Sequence, residues 1–211
     1  MFSADSCCGR RGVRNCLVIL KGEVEKMIEE KNIGACELDL SEVDGGAVSA
    51  SPGECSPSEE DLRFMRRAIA LAEEAEKLDE VPVGAVAVRG GVIVGEGYNT
   101  RESEKCALGH AECNAIRAAC ANMGGWRLPG VTLYVTMEPC AMCAGAIVNA
   151  RIERVVYGAP DLRFGALGSL LNLAELPLNH TPKVCRGVLA EQCRDMLSSY
   201  FKRKRIKKKE D

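Results

Sequence analysis

The chain has 211 residues and a mass of 22.7 kDa, enough for one domain with a proper core and little for two. Hydrophobic residues make up 46% and charged residues 27%, as in an ordinary soluble globular protein, while 4% aromatic argues against an aromatic-lined sugar or peptide groove and predicts an aliphatic core. The net charge is -2, and the longest early apolar run, residues 16–20, is too short for a signal peptide; no stretch approaches the length of a membrane span, so the 12 cysteines are expected in a reducing cytoplasm, mostly as free, small apolar residues.

Residues 1–57 read as a flexible extension and linker of unknown role. They carry ten acidic groups against six basic, a short predicted helix at 23–31, five cysteines without metal-like pairing, and the small-residue stretch DGGAVSASPGECSPS. Order is expected from Ser58 to the end of the chain, as one domain over 58–211. Ser58 and Asp61 form a capping-box pattern ahead of Leu62, Met65, Ile69 and Ala72 at helical spacing, which predicts an amphipathic helix to about Leu78. VPVGAVAV and VIVGEGY flank Arg89-Gly90-Gly91 and read as a hairpin with a glycine turn. HAECNAIRAACANM is helical and ends at Gly124 and Gly125; VTLYVT is a β-branched strand; CAMCAGAIVNA after Pro139 suits a second helix. RVVYG and KVCRGVL give two more strands, and a long helix runs from Ala190 to about Lys209. The order α-β-β-α-β-α-β-β-α predicts a sheet of about five strands covered by helices on both faces.

The terminal helix holds Lys202, Arg203, Lys204, Arg205, Lys207, Lys208 and Lys209, opposed only by Glu210 and Asp211, so residues 1–201 carry 21 basic against 28 acidic groups. Such a block is either a solvated helix end that complements the dipole or a contact for nucleic-acid phosphates.

Two strand-to-helix junctions carry the chemistry. Cys140 and Cys143 in PCAMC, taken alone, are a redox pair, half of a structural zinc knot, or two ligands of a catalytic metal. At i and i+3 they share a helix face, and His110 at the start of the preceding helix can supply a third ligand. Three N/S ligands leave the fourth tetrahedral position open, the arrangement of a catalytic zinc. Glu112, two residues beyond the histidine, can reach a bound water without itself binding metal and can move its proton. His-x-Glu followed by Pro-Cys-x-x-Cys is the signature of the zinc nucleobase deaminases.

From Glu59 to Lys208 the sequence also resembles the bacterial tRNA adenosine deaminases, through EVPVGAV, GEGYN, HAE, EPCAMCAGAI, RIERVVYGA, GALGSL, LNH and GVLAEQC in matching order. The resemblance implies a three-layer α/β/α sandwich of cytidine-deaminase type with a mixed sheet, a homodimer, one Zn2+ per subunit, and conversion of the wobble adenosine of an arginine tRNA with an ACG anticodon to inosine. It implies zinc ligation by His110, Cys140 and Cys143, and proton shuttling by Glu112. Asn99 matches the asparagine that contacts the target nucleoside and Asp161 an acidic residue near the neighbouring ribose. Phe201, Lys202 and Arg203 match the part that reaches the anticodon stem-loop, which moves the basic block toward phosphate contact. No membrane or DNA partner is expected.

Glu153 and Arg154 read as surface residues, Met137 and Met142 as packing, and Asn179 and His180 as either site-orienting or structural. Cys106-Ala107-Leu108-Gly109 stands where the family often has Asp-Pro-Thr-Ala, and Leu162 and Phe164 make PDLRFG more apolar than usual. The rival activity is deamination of a free base or nucleoside such as guanine or cytosine by the same site. A non-catalytic, zinc-stabilised RNA-binding subunit is a third reading, opposed by Glu112, since a structural site has no use for a proton shuttle.

Overall fold

The computed structural model of the protein describes residues 56–210, with side chains to 206. The expected extension, apart from its last two positions, and its short helix lie outside the described residues. These belong to one compact unit with the element order α1 (Glu59–Lys77), β1 (Gly84–Arg89), β2 (Val92–Tyr98), α2 (Ala111–Met123), β3 (Val131–Met137), α3 (Ala141–Asn149), β4 (Arg154–Ala159), β5 (Lys183–Arg186) and α4 (Ala190–Glu210). A 3-10 turn at Leu173–Glu175, unforeseen from the sequence, precedes β5.

The helix ends follow the local chemistry. Ser58 caps α1: its hydroxyl accepts from the Asp61 N–H, and the Asp61 carboxylate accepts from the Ser58 N–H. Gly124 ends α2 at φ 69°, in the left-handed region where a side chain is disfavoured. Gly90 and Gly91, at φ 56° and 77°, form the two-residue turn between β1 and β2; positive φ at both positions is what matches a hairpin turn to the twist of its strands.

The five strands lie in the order β2-β1-β3-β4-β5. β1 runs antiparallel to both β2 and β3, while β3-β4 and β4-β5 are parallel. β2, β3 and β4 therefore point the same way, and the loops that follow them emerge at one end of the sheet, where the β1 strand begins. This shared end is where α/β sheets place ligands.

Strand alternation sorts the helices. Tyr134, opposite Val86 and Val156 in the sheet, reaches Asp61 on α1, and a Cβ on Gly158 would strike Cys193 on α4, so α1 and α4 cover one face. α2 covers the other and packs beside α3. Between the layers lies an aliphatic core that includes Val86, Leu133, Val135, Ile147, Val155 and Leu167. At Gly97 the β2 strand nearly touches the opening turn of α2: a Cβ there would lie 2.4 Å from the Ala111 carbonyl oxygen and 2.5 Å from the Ala115 nitrogen. Only glycine permits that approach.

Arg154 departs from the surface reading. It is half-buried and clamps Asp61, whose side chain is 3% exposed, with hydrogen bonds of 2.6 and 3.0 Å. Tyr134 donates to the same carboxylate at 3.0 Å. Burial disfavours the Asp61 carboxylate, but Arg154, Ser58 and Tyr134 outweigh it and hold the group well below its ordinary pKa of 3.8. Glu153 is exposed, as expected.

Two predictions follow from this packing. Replacing Gly97 with alanine presses a methyl into helix backbone that cannot rotate away, and urea denaturation should show a loss of about 1–3 kcal/mol. Asp61→Asn should cost about 1.5–3 kcal/mol at pH 7. Because the folded-state pKa is depressed, that contribution is full above the unfolded value of 3.8 and fades as pH falls toward the lower folded value. The gap between the melting curves of wild type and variant should therefore hold down to about pH 4 and narrow progressively only below it.

Candidate metal centre and its cavity

His110 is the N-cap of α2 and Cys140 the N-cap of α3, yet neither side chain caps its own helix. Both are left for another partner. The Cys140 sulfur lies 3.7 Å and the Cys143 sulfur 3.5 Å from His110 Nδ1, and the three donor atoms fall within 4.8 Å of one another. Tetrahedral zinc with Zn–S of about 2.3 Å and Zn–N of about 2.0–2.1 Å requires S···N edges of about 3.6 Å. The cluster thus fits a zinc site in donor type and in spacing, and three donors leave a fourth tetrahedral position for another ligand.

The protein groups of the cluster share protons. Cys140 is pulled down to about 3, first by its contact with Cys143 and then by His110, against the effect of burial. Cys143 is pushed up, first by Cys113, whose sulfur lies 3.9 Å away, and then by Cys140. His110 is raised by Cys140, with burial opposing. A cation bound at such a cluster takes over from these protons and favours thiolates, as do the two helix N-termini.

Glu112, in the first turn of α2, is 4% exposed, and burial raises its carboxyl above the ordinary carboxylate range. It takes part in none of the ion pairs among the described residues. It lines a cavity of about 330 Å³ together with His110, Cys140, Asn99, Asp161 and Phe201. The cavity thus gathers six of the nine residues singled out from the sequence. Cys143 is fully buried behind it as the third donor. Lys202 is exposed and outside the cavity lining, and Arg203 turns away to pair with Glu76.

Asn99 is 7% exposed, and its Oδ1 accepts the Ala111 N–H at 3.0 Å. That bond satisfies an orphan donor of α2 at a residue that also lines the cavity. Asp161 accepts from the Arg163 N–H at 2.9 Å through Oδ1.

Sequence reading missed the groups that fix the loops around this cavity. Glu138, 3% exposed, accepts the N–H groups of Asp161, Leu167 and Ser169 at 3.1, 3.1 and 3.0 Å, along with the Ser169 hydroxyl, and so fastens the loop that carries Asp161. Glu80, 1% exposed, does the same for the loop before His110, accepting from Glu102 N, Ser103 N and Ser103 Oγ at 2.9, 2.7 and 2.8 Å. A lone acid in the otherwise apolar VTLYVTMEPCAMC was the available signal for Glu138; Glu80 sits among other charges and offered none. Met137 and Phe164 also line the cavity. His180 Nε2 donates to the Ile152 carbonyl at 2.6 Å, and Asn179 accepts from Arg151, so both serve structure.

The model of the cytidine and deoxycytidylate deaminase zinc-binding region matches residues 58–159. The tRNA-specific adenosine deaminase of Bacillus subtilis (strain 168) is 49% identical over 151 residues, covering 71% of this chain and 94% of its own. That of Haemophilus influenzae is 47% identical over 154 residues, covering 72% and 89%. A solved structure from work on A-to-I editing by tRNA:A34 deaminases at the wobble position of transfer RNA superposes with a TM-score of 0.63 at 41% identity, covering 64% of this chain and 99% of that one. With the fold, the metal-binding signature and nearly half of the residues shared along almost the whole length of such relatives, the chain belongs to the tRNA-specific adenosine deaminases.

Proposed function

We propose that this protein converts the wobble adenosine of a tRNA anticodon loop, that of an ACG arginine tRNA first, to inosine and ammonia. The observation that carries this reading is the buried Glu112 carboxyl in the same cavity as the His110 and Cys140 donors. His110, Cys140 and Cys143 would hold zinc. When bound, the metal supplies the Lewis acidity that lets water attack a base at neutral pH.

The remaining work falls to the chain. Adenine C6 is out of reach inside a stacked loop, so the base is flipped into the cavity. Glu112 takes a proton from the attacking water, delivers it to adenine N1, and then passes the second proton to the departing amino group, which leaves as ammonia. A carboxyl raised by burial suits this task, since it binds a proton more readily than an exposed one yet can release it. The Asn99 NH2 orients the nucleoside through an acceptor atom, with Oδ1 already committed to Ala111. Asp161 meets a ribose hydroxyl at the mouth, and Phe201 offers an aromatic face to a base. Lys202 is exposed and suited to phosphate.

Residues 58–211 act as the deaminase domain in this reading. A homodimer is part of it: Leu170, Leu171, Leu176 and Leu178 are exposed on one stretch of chain, an apolar surface that a second copy would cover. A cytoplasmic site of action agrees with a tRNA substrate, and no described helix is long and apolar enough to cross a membrane.

Inosine formed on an unmodified ACG arginine tRNA by purified protein is the direct test. Glu112→Gln should keep its zinc and lose at least about 10²–10⁴ in turnover; undiminished turnover would remove Glu112 from the mechanism. Cys143→Ala should lose metal by elemental analysis, and full zinc occupancy in that variant would overturn the ligand assignment.

A further inference from the structure

On α4, Tyr200, Arg203 and Lys204 stand at i, i+3 and i+4 and so form one stripe. The whole stripe is engaged by the end of α1 and the turn after it. Tyr200, 6% exposed, donates its hydroxyl to the Asp79 carbonyl at 2.9 Å. Lys204 Nζ pairs with Asp79 Oδ2 at 2.6 Å, and Arg203 pairs with Glu76. Acids at the C-terminal end of a helix are locally unfavourable, because the dipole there is negative. Glu76 in the last turn of α1 and Asp79 just beyond it are therefore poorly explained by α1 itself and well explained by the cations of α4.

Phe201 follows Tyr200 and lies about 100° round the helix from it. It lines the cavity, and its ring meets that of Tyr200 edge-on, with centroids 5.4 Å apart. The rotation of α4 that presents Phe201 to the cavity is thus the rotation that the Tyr200, Arg203 and Lys204 contacts fix.

We propose that Glu76 and Asp79 are positioning residues that set Phe201 at the cavity mouth through Arg203 and Lys204, so that these two cations place the helix rather than bind RNA phosphate. This rests on the proposed tRNA reading for its consequence in catalysis, but not for its consequence in structure. Each pair is partly exposed, with Arg203 at 54% and Lys204 at 39%, and an isolated pair of that kind contributes little. Here two adjoining pairs and a buried tyrosine hydroxyl act on one helix face. Loss of the clamp leaves the metal ligands and Glu112 untouched and loosens one wall of the base site, which is a binding defect.

The test is a charge reversal in the full-length zinc-loaded protein, with Glu76→Arg, Arg203→Glu and the double variant. Two readouts are taken: amide hydrogen exchange of the segment 195–206, and kcat and KM for inosine formation on an ACG anticodon stem-loop. Each single variant should speed exchange in that segment and raise KM about 5–10-fold with kcat within about twofold, and the double variant should restore both. If Arg203 instead binds phosphate, Arg203→Glu raises KM without speeding exchange, and the double variant stays as poor as the single; that result overturns the proposal. Unchanged exchange in both single variants also overturns it. If the wild type makes no inosine, the tRNA reading fails, while accelerated exchange restored in the double variant still supports the clamp.

Discussion

The site depends on one geometric constraint: two helices from different parts of the chain must begin within a few ångströms of each other. His110 and Cys140 are the N-caps of α2 and α3, and their donor atoms must converge to hold one cation. Antiparallel pairing of β1 with both β2 and β3 supplies the coarse solution, because it makes the β2 and β3 strands parallel and brings their C-terminal ends to one side. Glycine supplies the fine one. With Gly97 the first turn of α2 can lie against β2 at a distance no side chain would allow, and the Asn99 side-chain Oδ1 then accepts the Ala111 N–H. His110, Asn99 and Glu112 are thus placed together by one helix start, and Cys140 and Cys143 are brought to them by the other.

Buried carboxylates do two opposite jobs around that point. Asp61, Glu80 and Glu138 are each surrounded by donors, and each ties one segment to another: α1 to β4, the loop before His110 to the turn after α1, the loop of Asp161 to the end of β3. A carboxylate with its lone pairs filled by N–H and O–H groups is a staple, and in Asp61 the lowered pKa is the sign of it. Glu112 is as deeply buried yet forms no ion pair among the described residues, and burial pushes it the other way. Such a group can gain and lose a proton during a reaction, whereas the staples would release their loops if they did.

Local periodicity carried most of the fold. The Ser58 capping box, the paired glycines between the first two strands, the left-handed Gly124 and all nine main elements could be read in advance, since each depends on neighbours in sequence. The ligand triplet was legible too, because the chemistry demands fixed residue types at helix starts. Arg154 was misread as surface because its partner Asp61 is 93 residues away, and Arg203 gave no hint that Glu76 would claim it. Aromatic residues are few, yet two of the four phenylalanines, Phe164 and Phe201, are gathered at this cavity. Composition averages over the chain, and a site is a local concentration.

The loop before His110 shows why side-chain departures there need not disturb the metal centre. Cys106, Ala107, Leu108 and Gly109 offer no hydroxyl or carboxylate, but the backbone closes on itself: Thr100 N–H donates to the Gly109 carbonyl, Gly109 N–H to that of Cys106, and His110 N–H to that of Leu108. Gly109 packs against Thr100 so closely that a Cβ would lie 2.9 Å from its hydroxyl oxygen, while Glu80 holds the far end of the loop. The position of His110 is therefore set by main chain and by one buried acid, and the exposed Leu108 is free to vary. The same division runs through the molecule. The donor cluster at the two helix starts is flanked by backbone contacts and by loops that buried carboxylates fasten. Phe164, Phe201 and Lys202 lie on the loop after β4 and on α4, apart from the two helix starts that carry the donor cluster.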